Sequence, residues 1–172
     1  MTLAISSARE WFLAQPAGTP KVSALRSLEV PPRLPQSLLT CNSDASSCSE
    51  STDAGLGWVI VASHDGKILE GQQVVCCVSS PLMAEALALR EMLAAASRLP
   101  PPNVWIRSDS LKLIRVINLN TFLMELYGIF KDIEFLSASF DFIHFSHVPR
   151  SCNSRADSLA KNALLCAHSL LS

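Results

Sequence analysis

"SHVPRSCNSRADSLAKNALL", Ser146 to Leu165, changes character at Val148-Pro149-Arg150, where strand or loop gives way to a helix. One turn into that helix stands Asp157, on the face that carries Ala160 and Leu164. An aspartate among core-facing positions costs free energy unless something charged meets it. The candidates for a shared charged site lie further back along the chain, at Asp44, Glu85 and Asp109.

The surrounding chain is long enough for one domain. Its 172 residues, 49% hydrophobic and 17% charged, suffice for a real core and a short extra segment. No apolar run reaches the length of a membrane helix. With 14 basic against 15 acidic residues the net charge is −1, and no basic stripe advertises nucleic-acid binding. Cysteines 41, 48, 76, 77, 152 and 166 lack zinc-site spacing. They read as buried reduced thiols of an intracellular, reducing compartment, with no disulfide-linked partner. Residues 1–30 lack the pattern of a secretory signal, and their Ser/Ala content and low acidity leave organelle targeting open.

Residues 1–37 read as a Pro-rich, poorly ordered leader or linker, and 38–172 as the folded domain. "LLTCNSDAS", "GLGWVIVAS" and "KILEGQQVVCCV" are three successive strands, with "HDG" a turn between the last two. Ser80-Pro81 caps and opens a helix whose apolar stripe is Leu82, Ala86, Leu89, Leu93 and Ala96. Then come the strand "NVWIR", helices over "SDSLKLIRVINL" and "TFLMELYGIFKDIEFL", the strand "FDFIHFSHV", and the helix from Asn153 to about Ala167. A meander followed by alternating strands and helices predicts an α/β fold with a mixed sheet covered by helices.

Each acid has an ordinary alternative reading. Asp44 can be a turn residue near a strand end, and Glu85 a solvated edge position beside its helix stripe. Asp109, in Ser108-Asp109-Ser110, fits an N-cap. Asp157 can favour its helix N-terminus through the macrodipole. Taken together, two acids at the ends of neighbouring strands and two on covering helices would repel unless divalent cations met them. An all-oxygen set suits Mg²⁺ or Mn²⁺, and two such ions suit phosphodiester hydrolysis.

Five blocks in order, "CNSDAS", "GLGWVIVASHDGKIL", "AEALALREML", "RSDSLKLIRVI" and "HVPRSCNSRADSLAKNAL", resemble the type 1 ribonuclease H domain, particularly its branch related to plant retroelements. The resemblance spans roughly residues 39–167 and is most specific in the last block. It implies a ribonuclease H-like five-stranded mixed sheet with helices on both faces. It also implies metal-dependent endonucleolytic cleavage of the RNA strand of RNA–DNA hybrids, leaving a 3′-hydroxyl and a 5′-phosphate. By the same likeness Asp44, Glu85, Asp109 and Asp157 hold two Mg²⁺ or Mn²⁺ ions with substrate bound, Asp44 bridging both. His147 stands where catalytic members carry a mobile histidine that protonates the leaving group or aids metal and product exchange. A histidine that merely closes the last strand is the alternative. Ser46, Arg150 and Asn153 are candidate substrate contacts, and Arg150 and Asn153 could equally hold the turn before the helix. The expected partner is the hybrid, bound by a monomer without a membrane.

Three departures from the family pattern point to weak substrate binding. Ala45 stands where the family usually has glycine after its first aspartate, so a methyl group would crowd the hybrid. The region of the family's basic insertion reads "LNTFLMELYGIFKDIEFL", apolar with three acids and one lysine. No separate hybrid-binding module is read ahead of the domain. The rival is a retroelement-derived module that keeps the fold but binds nucleic acid or a protein without cleaving. A related exonuclease or integrase suits the last block less well.

Overall fold

The computed structural model describes residues 34–169 except 49–51, 64, 101 and 122, with side chains described as far as residue 167. The expected leader therefore lies outside the described residues, apart from its last four. Five strands form, β1 (Leu39–Ser47), β2 (Ala54–Ala62), β3 (Ile68–Val75), β4 (Asn103–Ser108) and β5 (Phe142–His147). The helices are α1 (Pro81–Ala96), α2 (Leu111–Asn118), α3 (Tyr127–Ser137) and α4 (Ser154–Ser169). Single 3₁₀ turns at Met124–Leu126 and Arg150–Cys152 introduce α3 and α4.

The strands lie in the order β3-β2-β1-β4-β5, antiparallel from β1 to β3 and parallel from β1 through β4 to β5. This is the five-stranded mixed sheet expected from the sequence. Its parallel half fixes the site, because β1 and β4 run the same way and their last paired rung is Ser43 opposite Ser108. The next residues are Asp44 and Asp109, so two carboxylates stand side by side where the β1–β4 pairing stops.

One face of the sheet packs against α1 and α2, and α3 packs on α1. Leu82, Ala86, Leu89, Leu93 and Ala96 are all buried there, together with Leu39, Cys41, Ile60, Val104, Ile106, Leu113, Ile114 and Phe130. Removing a leucine such as Leu89 from water contributes roughly 2 kcal/mol, which is why the stripe directs α1 onto the strands. Ser80 caps α1, its Oγ accepting the Met83 N–H at 3.1 Å, with Pro81 in the first turn. On the opposite face α4 packs across β1, β2 and β3. It comes so close that a Cβ built on Gly57 would run into the Ala156 carbonyl and the Ala160 amide, and one on Gly55 into the Ala160 carbonyl. Glycine is required at these two positions by close approach.

Two expectations need correction. Of the six cysteines only Cys41 is buried; Cys48 is half-buried, and Cys76, Cys77, Cys152 and Cys166 are exposed. None is in a disulfide. Cys76 and Cys77 looked internal because they extend an apolar run, but β3 ends at Val75. The helix expected from Thr121 begins with a 3₁₀ turn at Met124 and becomes α-helical at Tyr127. Met124, Tyr127 and Phe135 of this segment are exposed, so its apolar residues outnumber the positions its buried face offers. No helix among the described residues is long and apolar enough to cross a membrane.

Candidate metal centre

The point on β1 where its pairing with β4 stops, the end of β4 and the first turns of α1 converge. One carboxylate oxygen from each of Asp44, Glu85 and Asp109 lies within 4.8 Å of the others. Asp44 is 3% exposed, and Glu85 projects from the sheet side of α1, between Leu82 and Leu89. Asp109 is not an N-cap. α2 has no side-chain cap bond, and Ser108 Oγ accepts the Ser110 N–H at 3.1 Å, while Asp109 Oδ1 accepts from Asn153 Nδ2 at 3.1 Å. Beside the trio runs a cleft lined by Ser80, Pro81, Leu82, Glu85, Asp109, Ser110, Lys112 and Glu125.

Such crowding is electrostatically costly. Burial, then the Asp109 charge, and also that of Asp157, push the Asp44 carboxyl up to about 6, against a hydrogen bond from Ala45 N–H that opposes the shift. Burial first, and then the charges of Asp44 and Asp109, raise Glu85 to about 9. Asp44 Oδ2 and Glu85 Oε2 are buried without a hydrogen-bond partner. Buried carboxylate oxygens left unpaired ask for a cation. The donor set is all oxygen, so the residues fit a hard divalent ion such as Mg²⁺ or Mn²⁺.

Asp157 is not part of this trio. Its side chain is 18% exposed and accepts from Lys161 Nζ at 2.6 Å and from Arg150 at 3.2 Å. Lys161, and after it Arg150, hold the carboxyl below the usual aspartate range. The charge that meets Asp157 in this structure is therefore a lysine and an arginine. It lies near enough to Asp44 to raise that carboxyl, at the margin of the cluster.

His147 ends β5 directly opposite Ser108, one residue from Asp109, and is half-buried. The sheet thus delivers the imidazole to the same end as the acids. Ser46 lies two residues beyond Asp44 on β1, partly exposed. Arg150 is exposed beside Asp157. Asn153 is 1% exposed, with its amide spent on Ser43, Asp109 and Asn42, which favours the turn-holding alternative over a phosphate contact. Three neighbours were missed in the sequence. Lys161, four residues after Asp157, follows the ordinary helix pair rule and was findable. Asn42, on Asp44's side by the strand period, and Lys112, in the cleft, carry no local signal.

Residues 42–163 match the family described as reverse transcriptase-like. No curated protein sequence matches the chain. Among solved structures, RNase H1 from the halophilic archaeon Halobacterium salinarum is 30% identical, with TM-score 0.67, over 74% of this chain and 97% of that one. The N-terminal RNase H domain of a Mycobacterium tuberculosis protein is 22% identical with TM-score 0.71, over 79% and 99%. LC11-RNase H1, solved in complex with an RNA/DNA hybrid, is 23% identical with TM-score 0.63, over 75% and 98%. The chain belongs to the reverse transcriptase-like family, with the fold of type 1 ribonuclease H domains.

Proposed function

We propose that this protein is a metal-dependent endonuclease that hydrolyses the RNA strand of RNA–DNA hybrids. The observation that carries the reading is the meeting of Asp44, Glu85 and Asp109 beside an open cleft, with two buried oxygens lacking partners. Asp44, Glu85 and Asp109 would hold Mg²⁺ or Mn²⁺, with Asp157 joining when substrate and a second ion are present. Such ions supply activation of a water and stabilisation of the leaving oxygen in phosphodiester cleavage. The chain's own work is to fix the carboxylates on β1, after β4 and on α1, and to keep Asp44 Oδ2 and Glu85 Oε2 free of other partners. His147 is placed to give a proton to the leaving oxygen or to assist product exchange. Lys112 and Arg150 offer positive charge at the cleft side and beside Asp157, for the hybrid backbone.

The match to a reverse transcriptase-like family supports a retroelement ancestry. The second reading, a binding module with little turnover, draws on the exposed Met124, Tyr127 and Phe135, in the region where a basic insertion would grip DNA. Strand choice separates the possibilities. A hybrid labelled in turn on each strand is expected to show shortening of the RNA alone, with double-stranded RNA untouched. Cutting of the DNA strand, or of double-stranded RNA at a similar rate, would overturn the assigned substrate.

A further inference from the structure

Asn153 reaches each of the three chain segments that present Asp44, Asp109 and Asp157. Its Nδ2 donates to the Ser43 carbonyl, next to Asp44, at 2.9 Å and to Asp109 Oδ1 at 3.1 Å. Its Oδ1 accepts from Asn42 Nδ2 at 3.2 Å. Its backbone carbonyl accepts the Asp157 N–H at 3.1 Å, so it also starts α4. A carbonyl and a carboxylate can only accept, which leaves the amide a single orientation, and Asn42 fixes its other end.

We propose that Asn153 is the positioning residue of the metal centre, locking Asp109 against the end of β1 and tying the Asp157 helix to the same point. The proposal rests on reading the acidic cluster as a metal site. Asp109 stands between β4 and α2, where no cap bond restrains it, and it faces Asp44 and Glu85 at close range. Repulsion alone would swing its carboxylate outward into the cleft. The Asn153 amide opposes that swing and occupies Oδ1, which leaves Oδ2 available to a ligand. Aspartate at neutral pH cannot donate to either acceptor, and serine is too short to span both. Outer contacts of this kind commonly change metal affinity or activity by about 10- to 100-fold when removed.

The test is Mn²⁺ binding to the full 172-residue chain, read from the electron paramagnetic resonance signal of free Mn²⁺, with hybrid cleavage measured in parallel. Asn153→Ala is expected to weaken Mn²⁺ binding by about tenfold or more and to lower kcat while leaving KM for the hybrid within about twofold. A role confined to folding would lower the melting temperature of the metal-free protein but leave the Mn²⁺ affinity of the folded fraction unchanged, and that result overturns the proposal. If Asn153→Ala does not hold its fold at 10 °C (about 283 K) by circular dichroism, Asn42→Ala carries the test. That variant keeps Asn153 but frees its Oδ1, and it is expected to weaken Mn²⁺ binding by about threefold; unchanged binding overturns the proposal there too. Wild-type protein that binds Mn²⁺ without cutting hybrid, alongside a variant that loses binding, sinks the nuclease reading and keeps this one. Wild-type protein that binds no Mn²⁺ sinks both.

Discussion

Asp44→Asn should leave the protein without a metal site yet make the metal-free fold more stable. Asp44 is buried, and its carboxyl is raised from 3.8 to about 6 by burial and by Asp109. A carboxyl with a higher pKa in the folded state binds its proton more tightly there. Its favourable contribution is complete below pH 3.8 and is lost as pH rises towards 6. A shift of roughly 2 pKa units corresponds to about 3 kcal/mol lost by neutral pH. The amide of asparagine carries no charge to be repelled, but its own burial costs about 1–2 kcal/mol when poorly paired. The net expectation at pH 7.5 is a gain of about 1–2 kcal/mol, a rise of several degrees in Tm. Urea unfolding in a chelator from pH 4 to 8 reads both effects. Wild-type stability should fall between pH 4 and 6 more steeply than that of the variant, and Mg²⁺ should recover it in the wild type alone. An Asp44→Asn protein less stable than wild type at pH 7.5, or one with the same pH slope, would refute the account of repulsion in this cluster.

Glu85→Gln should act in the same direction, because a carboxyl raised from 4.5 to about 9 must take up a proton on folding at pH 7.5, whereas glutamine is neutral in both states. In the same unfolding assay the metal-free variant should be more stable than wild type at pH 7.5 and should lack Glu85's share of the wild type's decline from pH 4.5 upward, while the stabilisation by Mg²⁺ disappears. Gly57→Ala drives a methyl group into the α4 backbone at Ala156 and Ala160; a loss of about 3 kcal/mol in urea unfolding is expected, and a neutral result would mean α4 sits further from β2. His147→Ala should lower kcat by about 100-fold with little change in hybrid affinity, as measured by single-turnover cleavage and fluorescence anisotropy; an unchanged kcat would leave His147 as the closing residue of β5.

The order of strands and helices was legible because each element carries its own period and punctuation. Ser80-Pro81 and the stripe from Leu82 to Ala96 predicted α1 correctly. The adjacency of Asp44 and Asp109 followed once β1 and β4 were read as neighbouring strands. What stayed hidden depends on distance along the chain. Asn153 bonds to Ser43 and Asp109, 110 and 44 residues away, and no local pattern distinguishes that from a turn-closing asparagine. Asp157 is partly exposed at the margin of the cluster, and its neutralisation by Lys161 and Arg150 was not anticipated. Cys76 and Cys77 were misplaced because hydropathy reports composition, whereas exposure depends on where hydrogen bonding to β2 stops.

The central claim is that the Asp44, Glu85 and Asp109 cluster cleaves RNA paired to DNA by means of a divalent ion. The most direct measurement compares wild type with Asp109→Asn on an RNA-labelled hybrid across a titration of Mn²⁺ in metal-stripped buffer. The account predicts no cutting without metal, saturable cutting by wild type as Mn²⁺ rises, and none by the folded variant at any concentration. Cutting that persists in the chelator, or that proceeds equally in Asp109→Asn, would contradict it.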